Sequence, residues 1–489
     1  MPGVFGDHMV LQRDMPVPVW GWADPGETAT VTLGDQTKTA TADSAGKWSV
    51  KLDAMKAGGP YELKVQGKQN AIRFADVLVG EVWLCSGQSN MQMTVDGVAN
   101  KKAEVAAADY PQIRQYFIEH TPFPEPKATT GGHWITCSPA SVAGFSAVAY
   151  FFARELHKQL GVPVGVIDSS WGGTPIEAWT SLKTHEALPE LRTLIDDVKK
   201  RTELFQSGKA KIQYEKQLSD WKKAAAQAKA ERKPFNVRKP DAPYDPRFSP
   251  GSPATLYNGM IAPLVPYAIR GATWYQGESN AGSPLYSLQL KAMIASWRDD
   301  WKQGDFPFLF VQLPNFMGPQ TQPSESVGGW PMTREQFLKA LATVPNTGMA
   351  VTIDIGEGDQ IHPHNKQDVG KRLAQWALAK TYGKDVVACG PLYKSMRKDG
   401  GKIVIAFDYI GGGLAARDGG KLVGFAIAGA DKKFVWADAK IEGDTVVASS
   451  PAVKSPAAVR YAWANNPKCN LINKAGLPAS PFRTDDWAK

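Results

Sequence analysis

The four cysteines among 489 residues, Cys85, Cys137, Cys389 and Cys469, stand far apart and in no metal-ligand spacing. They exclude a disulfide-dense scaffold and a zinc-ribbon type of fold. No apolar run reaches the roughly 18 residues that a membrane-spanning helix needs, so no membrane partner is expected. No complete P-loop or dinucleotide fingerprint occurs, and Gly411-Gly412-Gly413 is a turn in β context. Histidines number only seven, and His362-Pro363-His364 lacks a third clustered ligand. Neither a metal nor another cofactor is therefore expected. Charge imbalance is local: the formal net charge is +8, and Glu190–Lys239 alone carries fourteen Lys/Arg against seven Asp/Glu. The rest is nearly neutral, which argues against a nucleic-acid partner and for a solvated insertion. Nothing in the sequence fixes an oligomeric state.

What is present has the length of two to four domains. Residues 1–75 alternate in short stretches, Val17–Trp22, Thr28–Leu33, Thr37–Ala42, Trp48–Leu52 and Tyr61–Val65, broken by Asp24-Pro25-Gly26 and Ser44-Ala45-Gly46. Close strands with turn residues between them predict a β-sandwich-like domain. Trp20 and Trp22 are expected to pack rather than to bind sugar. Over 76–395 the rhythm becomes strand and helix. Val82–Cys85, Val164–Asp168, Gly271–Tyr275, Phe308–Leu313 and Met349–Ile355 read as strands; Ala147–Leu160, Leu285–Trp301, Arg334–Val344 and Lys366–Tyr382 read as helices. This predicts a three-layer α/β domain with a parallel sheet, whose ligands lie beyond the carboxyl ends of the strands. Residues 185–250 interrupt it with a helical hairpin and a Pro-rich loop, and 396–489 return to β character as a C-terminal domain.

The chemistry gathers at three strand ends. Val82–Cys85 is an apolar strand broken sharply by Ser86-Gly87-Gln88-Ser89-Asn90. A small Gly-containing turn into a helix is where α/β enzymes present a nucleophile, although a serine there can also simply cap the helix. Asp359-Gln360-Ile361-His362 follows the Met349–Ile355 run, and Trp274-Tyr275-Gln276-Gly277-Glu278-Ser279-Asn280 ends another strand. Ser, Asp, His is one of the chain orders of a catalytic triad. On this reading Ser89 attacks, His362 takes its proton and Asp359 orients the imidazole. His364 lacks the Asp-x-x-His spacing; His8, His120, His133, His157 and His185 lack an acidic partner in such a context. A carboxylate partner is expected to raise the His362 pKa above its ordinary value of about 6.5. A glycosidase built on Glu278 and Asp359 leaves Ser89 and His362 without a role. A non-catalytic carbohydrate-binding protein with two β domains leaves the whole set unexplained.

GEVWLCSGQSNMQM (80–93), WGGTPIEAW (171–179), WYQGESN (274–280) and DIGEGDQIHPHNKQDVGKRLA (354–374) together resemble sialate O-acetylesterases, carbohydrate esterases within the SGNH, or GDSL-like, hydrolases. DHMVLQRDMPVPVWGWA near the start and GLPASPFRTDDW near the end extend the resemblance over nearly the whole chain. It implies an SGNH-type domain between two β domains and a serine esterase that releases acetate from acetylated sugars. Sialate esters are the first substrate and acetylated xylan the second. It implies oxyanion donors at the Ser89 N–H, the Gly172 or Gly173 N–H and the Gln276 amide, with Asn280 the alternative to Gln276. Gln88, Asn90, Trp171, Glu278 and Asn280 are expected along the substrate, and Trp171 and Tyr275 around a small acyl group. The chain departs from the general SGNH pattern in having Gly87-Gln88-Ser89 at the nucleophile. Such relatives are typically exported, to periplasm or medium, so a mature chain trimmed of its signal peptide is expected.

Overall fold

The computed structural model describes residues 1–324 and 328–487. The expected 76–395 and 396–489 domains each include a few residues outside that set. The N-terminal strands are β1 (Val10–Gln12), β2 (Val17–Trp22), β3 (Thr28–Leu33), β4 (Gln36–Thr41), β5 (Lys47–Leu52) and β6 (Gly58–Gln66). β2 pairs with β5, while β4, β3 and β6 lie side by side and lead to β7 (Ala71–Gly87). Alternation decides the packing: in β5 Trp48, Val50 and Leu52 are buried and the residues between them exposed, as one solvated sheet face requires.

β7 does not respect the expected boundary at residue 75. Its seventeen residues pair antiparallel with β6 at Ala71–Val79, then run on through the catalytic sheet to Gly87. There it lies between β10 (Val164–Ser170) and β11 (Gly271–Tyr275). Outward on one side come β8 (Ile113–Ile118) and β9 (Gly132–Thr136), and on the other β12 (Phe308–Val311) and β13 (Thr347–Ala350). All these pairs are parallel except β8–β9. The expected parallel sheet thus gains an antiparallel edge. From β7 the chain builds first to one side and later to the other, so the carboxyl end of β7 is the topological switch point.

Successive residues of β7 face opposite helix layers. Trp83 and Cys85 share a core with α3 (Ala147–Leu160) and α9 (Lys366–Trp376). Val82 and Leu84 share one with α7 (Tyr286–Trp301) and α8 (Gly329–Thr343). That second core also takes in Val10, Val31, Trp48 and Leu63, so the N-terminal strands and the catalytic domain have one interior. α3 forms where the sequence places it: the Ser146 hydroxyl accepts from the Ala149 N–H, and Gly161 closes the helix at φ 66°.

The insertion is a hairpin of α5 (Pro189–Gln206) and α6 (Lys209–Ala230). α5 buries Leu191 and Ile195; α6 buries nothing. After Leu392 the chain forms two four-stranded sheets around a separate core that includes Ile405, Phe425, Val446 and Tyr461. Arg334 of α8 stitches this unit on, donating to the carbonyls of Leu313, Pro314, Ala464 and Asn465.

Candidate active site

Gly87 ends β7 at φ 142°, where a Cβ would sit 2.2 Å from the Tyr275 carbonyl oxygen. Only glycine permits this approach of the β7 and β11 ends. The chain then turns, the Gln88 N–H bonding the Tyr275 carbonyl at 3.0 Å, and Ser89 opens the single turn Ser89–Gln92. The half-buried Ser89 side chain meets His362, with Nε2 2.7 Å from Oγ. The two residues are 273 positions apart, and hydrogen bonding at this distance is what a serine–imidazole proton transfer needs.

Asp359 is not where the Asp-x-x-His spacing suggests. It is exposed, in the turn closed by Glu357 and Gln360, and among the described residues it makes no hydrogen bond or ion pair with His362. Glu357 is instead the carboxylate of this loop that pairs with a histidine, His364, at 2.9 Å. Without a carboxylate partner the imidazole does not behave as expected. Burial first, and the Lys366 charge second, hold His362 below its ordinary pKa rather than above it.

The expected oxyanion donors divide. The Ser89 and Gly173 N–H groups make no hydrogen bond among the described residues. A Cβ on Gly172 would lie 3.2 Å from the Ser89 Cβ, which puts its backbone beside that serine. Its N–H, however, donates to Oε1 of Gln92 at 2.8 Å. An oxyanion bound there must displace that side chain. Gln276 is fully buried and committed: its Nε2 donates to Asn280 Oδ1 (2.7 Å) and the Thr174 carbonyl (3.3 Å), and its Oε1 accepts from Tyr286. Asn280 in turn donates to Glu177 and accepts from the Ile176 N–H. Both amides brace the loops under the site.

Other residues expected at the substrate also look inward. Gln88 is buried and its Oε1 accepts from the Ser279 N–H. Asn90 is fully buried and bonds Glu278, Ile361 and Lys366. Burial raises the Glu278 pKa, and its Oε2 has no hydrogen-bond partner. Tyr275 is buried beneath the Lys366 ammonium. Trp171, like Glu278, is half-buried; it stacks on His120 with ring centroids 4.2 Å apart and 9° between planes. His120 also bonds the Ser170 carbonyl at 2.9 Å, and its Nε2 lies 3.4 Å from Nε2 of Gln92. Sequence reasoning passed over His120 for want of an acid and gave Gln92 no role. Only a fold brings an aromatic stack and a side-chain amide together from β7, β8 and β10. Among the described residues no three His, Cys, Asp or Glu side chains converge as a metal site.

Known proteins resemble the chain along its length. A family model described as "Carbohydrate esterase, sialic acid-specific acetylesterase" matches residues 246–379. The sialate O-acetylesterase of Rattus norvegicus is 32% identical, over 97% of this chain and 92% of its own length. That of Homo sapiens is 31% identical, over 97% and 90%. The crystal structure of a novel carbohydrate acetylesterase from Xanthomonas citri is 40% identical and superposes with a TM-score of 0.84, covering all of this chain and 99% of the other. The expected α/β fold with additional β sheets at the C-terminus is therefore shared, and the chain is a carboxylic ester hydrolase acting on acetylated carbohydrate. By likeness along nearly its whole length, the chain belongs to the sialate O-acetylesterase family of carbohydrate esterases.

Proposed function

We propose that Ser89 and His362 are the working pair of this esterase and that its preferred esters are O-acetyl groups on sialic acid. The 2.7 Å Oγ–Nε2 contact at the switch point of the sheet carries the reading. Ser89 Oγ attacks the acetyl carbonyl as His362 takes its proton. The imidazolium returns that proton to the departing sugar oxygen, leaving acetyl-Ser89. Water, deprotonated by the same imidazole, then releases acetate. Charge on the carbonyl oxygen is met by the Ser89 N–H and by a Gly172 or Gly173 N–H, each such donor contributing about 2.7–4 kcal/mol in the transition state. Asp359 is the expected orienting acid, but its exposure favours a serine–histidine dyad.

Ser89→Ala and His362→Ala are each expected to lower turnover by about 10⁴-fold or more while the protein stays folded. Asp359→Asn is expected to lose less than about tenfold, against the roughly 10⁴-fold that loss of an orienting aspartate costs. Steady-state kinetics on one acetyl ester checks all three. A wild-type rate for Ser89→Ala ends the mechanism.

Acetylated neutral polysaccharide such as xylan is the second reading. Among the described residues, no arginine hydrogen-bonds to or stacks on Ser89, His362, Gly172 or Trp171, although arginine is the side chain best matched to a sialate carboxylate. Acetate release from acetylated sialosides against acetylated xylooligosaccharides separates the two. No helix among the described residues is long and apolar enough to cross a membrane. Export to periplasm or medium, where such glycans are met, completes the proposal, and fractionation of cells making the full gene product tests it.

A further inference from the structure

Asn90 directly follows Ser89, and Ile361 directly precedes His362. One amide joins them: Asn90 Nδ2 donates to the Ile361 carbonyl at 2.9 Å and to Glu278 Oε1. Turned over, the same amide would set its oxygen against a carbonyl and a carboxylate. Lys366 fixes the same orientation from the other side, its Nζ donating to Asn90 Oδ1 at 2.6 Å. An ammonium group can only donate, so it accepts no other arrangement.

Lys366 is an expensive way to fill this space. It is fully buried, in the first turn of α9, with its Nζ 5.4 Å from the Tyr275 ring centre. A helix N-terminus disfavours a cation, and burial disfavours any charge. Burial pulls its pKa down to about 7 against the opposing pull of Glu278 and Glu357. Methionine would pack there without these costs.

We propose that Lys366 is a positioning residue for ester hydrolysis: by holding the Asn90 amide in one orientation, it keeps the His362 loop tied to the nucleophile turn and Nε2 within reach of Ser89 Oγ. The inference rests on the assignment of Ser89 and His362 made above.

The test is Lys366→Met, assayed beside Ser89→Ala and His362→Ala. kcat is expected to fall by about 100-fold, the scale of a misplaced reacting pair, with KM within about twofold. Phosphonylation of Ser89 by a fluorophosphonate should slow by the same factor. Tm is expected to drop, because buried Asn90 Oδ1 and Glu278 lose their cation, so rates are read well below Tm, where a residue that merely held the fold would leave kcat and the labelling rate unchanged. Lys366→Gln, which restores a donor without a charge, should recover part of kcat. It also reads the proposal should the Met variant fold poorly. In an Asn90→Leu background Lys366→Met should cost nothing further, since the two act as one link. Unchanged kcat in both Lys366 variants overturns the inference, as do losses that simply multiply with Asn90→Leu. If Ser89→Ala or His362→Ala stays active, the assignment beneath it has failed, whatever Lys366 does.

Discussion

On the proposed mechanism His362 accepts a proton only when neutral, so its surroundings set the acid limit of the enzyme. Burial lowers its pKa, and the Lys366 charge lowers it further. Glu278 and Glu357 face that lysine and favour its charged form. Activity is therefore expected to persist below pH 6.5 and to fail only as pH drops through the lowered value. A carboxylate in contact with the ring would have moved the limb the other way. Lys366→Met, lacking the charge, should shift the limb upward. A kcat/KM profile against pH checks both, and a wild-type limb well above about 6.5 would contradict the site as described. At this scale the sequence was legible where chemistry lies in contiguous motifs: Ser89 and His362 meet as read. It misled where a loop decides direction. Asp359 has the right spacing, but the turn closed by Glu357 and Gln360 leaves it in solvent. Asn90, Gln276 and Asn280 look like substrate contacts in sequence because polar residues near a nucleophile look alike, whether they face a ligand or one another.

Among the elements, strong periodicity and clear caps were read well. Ala147–Leu160 and Gly271–Tyr275 appear residue for residue. β8 and β9 went unread. Arg114 and Gln115 interrupt the apolar pattern of β8, yet both are buried, the arginine donating to the Pro111 carbonyl and to Asp76. Period-based reading cannot anticipate buried polar groups whose partners are distant. The hairpin α5–α6 gives an element-scale prediction. α5 buries Leu191 and Ile195, and in the loop after the hairpin the Phe248 ring meets Phe123 at 5.9 Å. The far part of the arm holds itself together, Trp221 against Phe235 and bonded to the Val237 carbonyl. Trypsin should therefore cut between Lys209 and Lys239 first and leave hydrolysis of a small acetyl ester unchanged. Loss of that activity on nicking would show that the arm supports the site.

For the whole molecule the shared interior matters most. Phe5, Val31, Trp48, Leu84 and Trp297 belong to one apolar core, so the N-terminal strands are not a detachable module. Removing residues 1–70 would uncover that core and strip the partners from the first half of β7. We expect such a chain to be insoluble or molten, and the intact protein to melt these two regions in a single calorimetric transition. Two separate transitions, or a soluble and active truncated enzyme, would refute this. β7 runs across the expected boundary at residue 75, because a composition change marks where neighbours change. It does not mark where a strand ends.

The unbroken course of β7 also says where this chain can be recombined. A crossover with a relative anywhere in 71–87 splices two half-strands whose registers were set by different neighbours, and the error is carried to the nucleophile at its end. The Ser207-Gly208 turn, which joins α5 to the wholly unburied α6, transmits nothing to the sheet. A foreign domain spliced there would ride on the enzyme as a passenger, whereas one grafted at the apparent domain border would sever the strand that leads to the nucleophile.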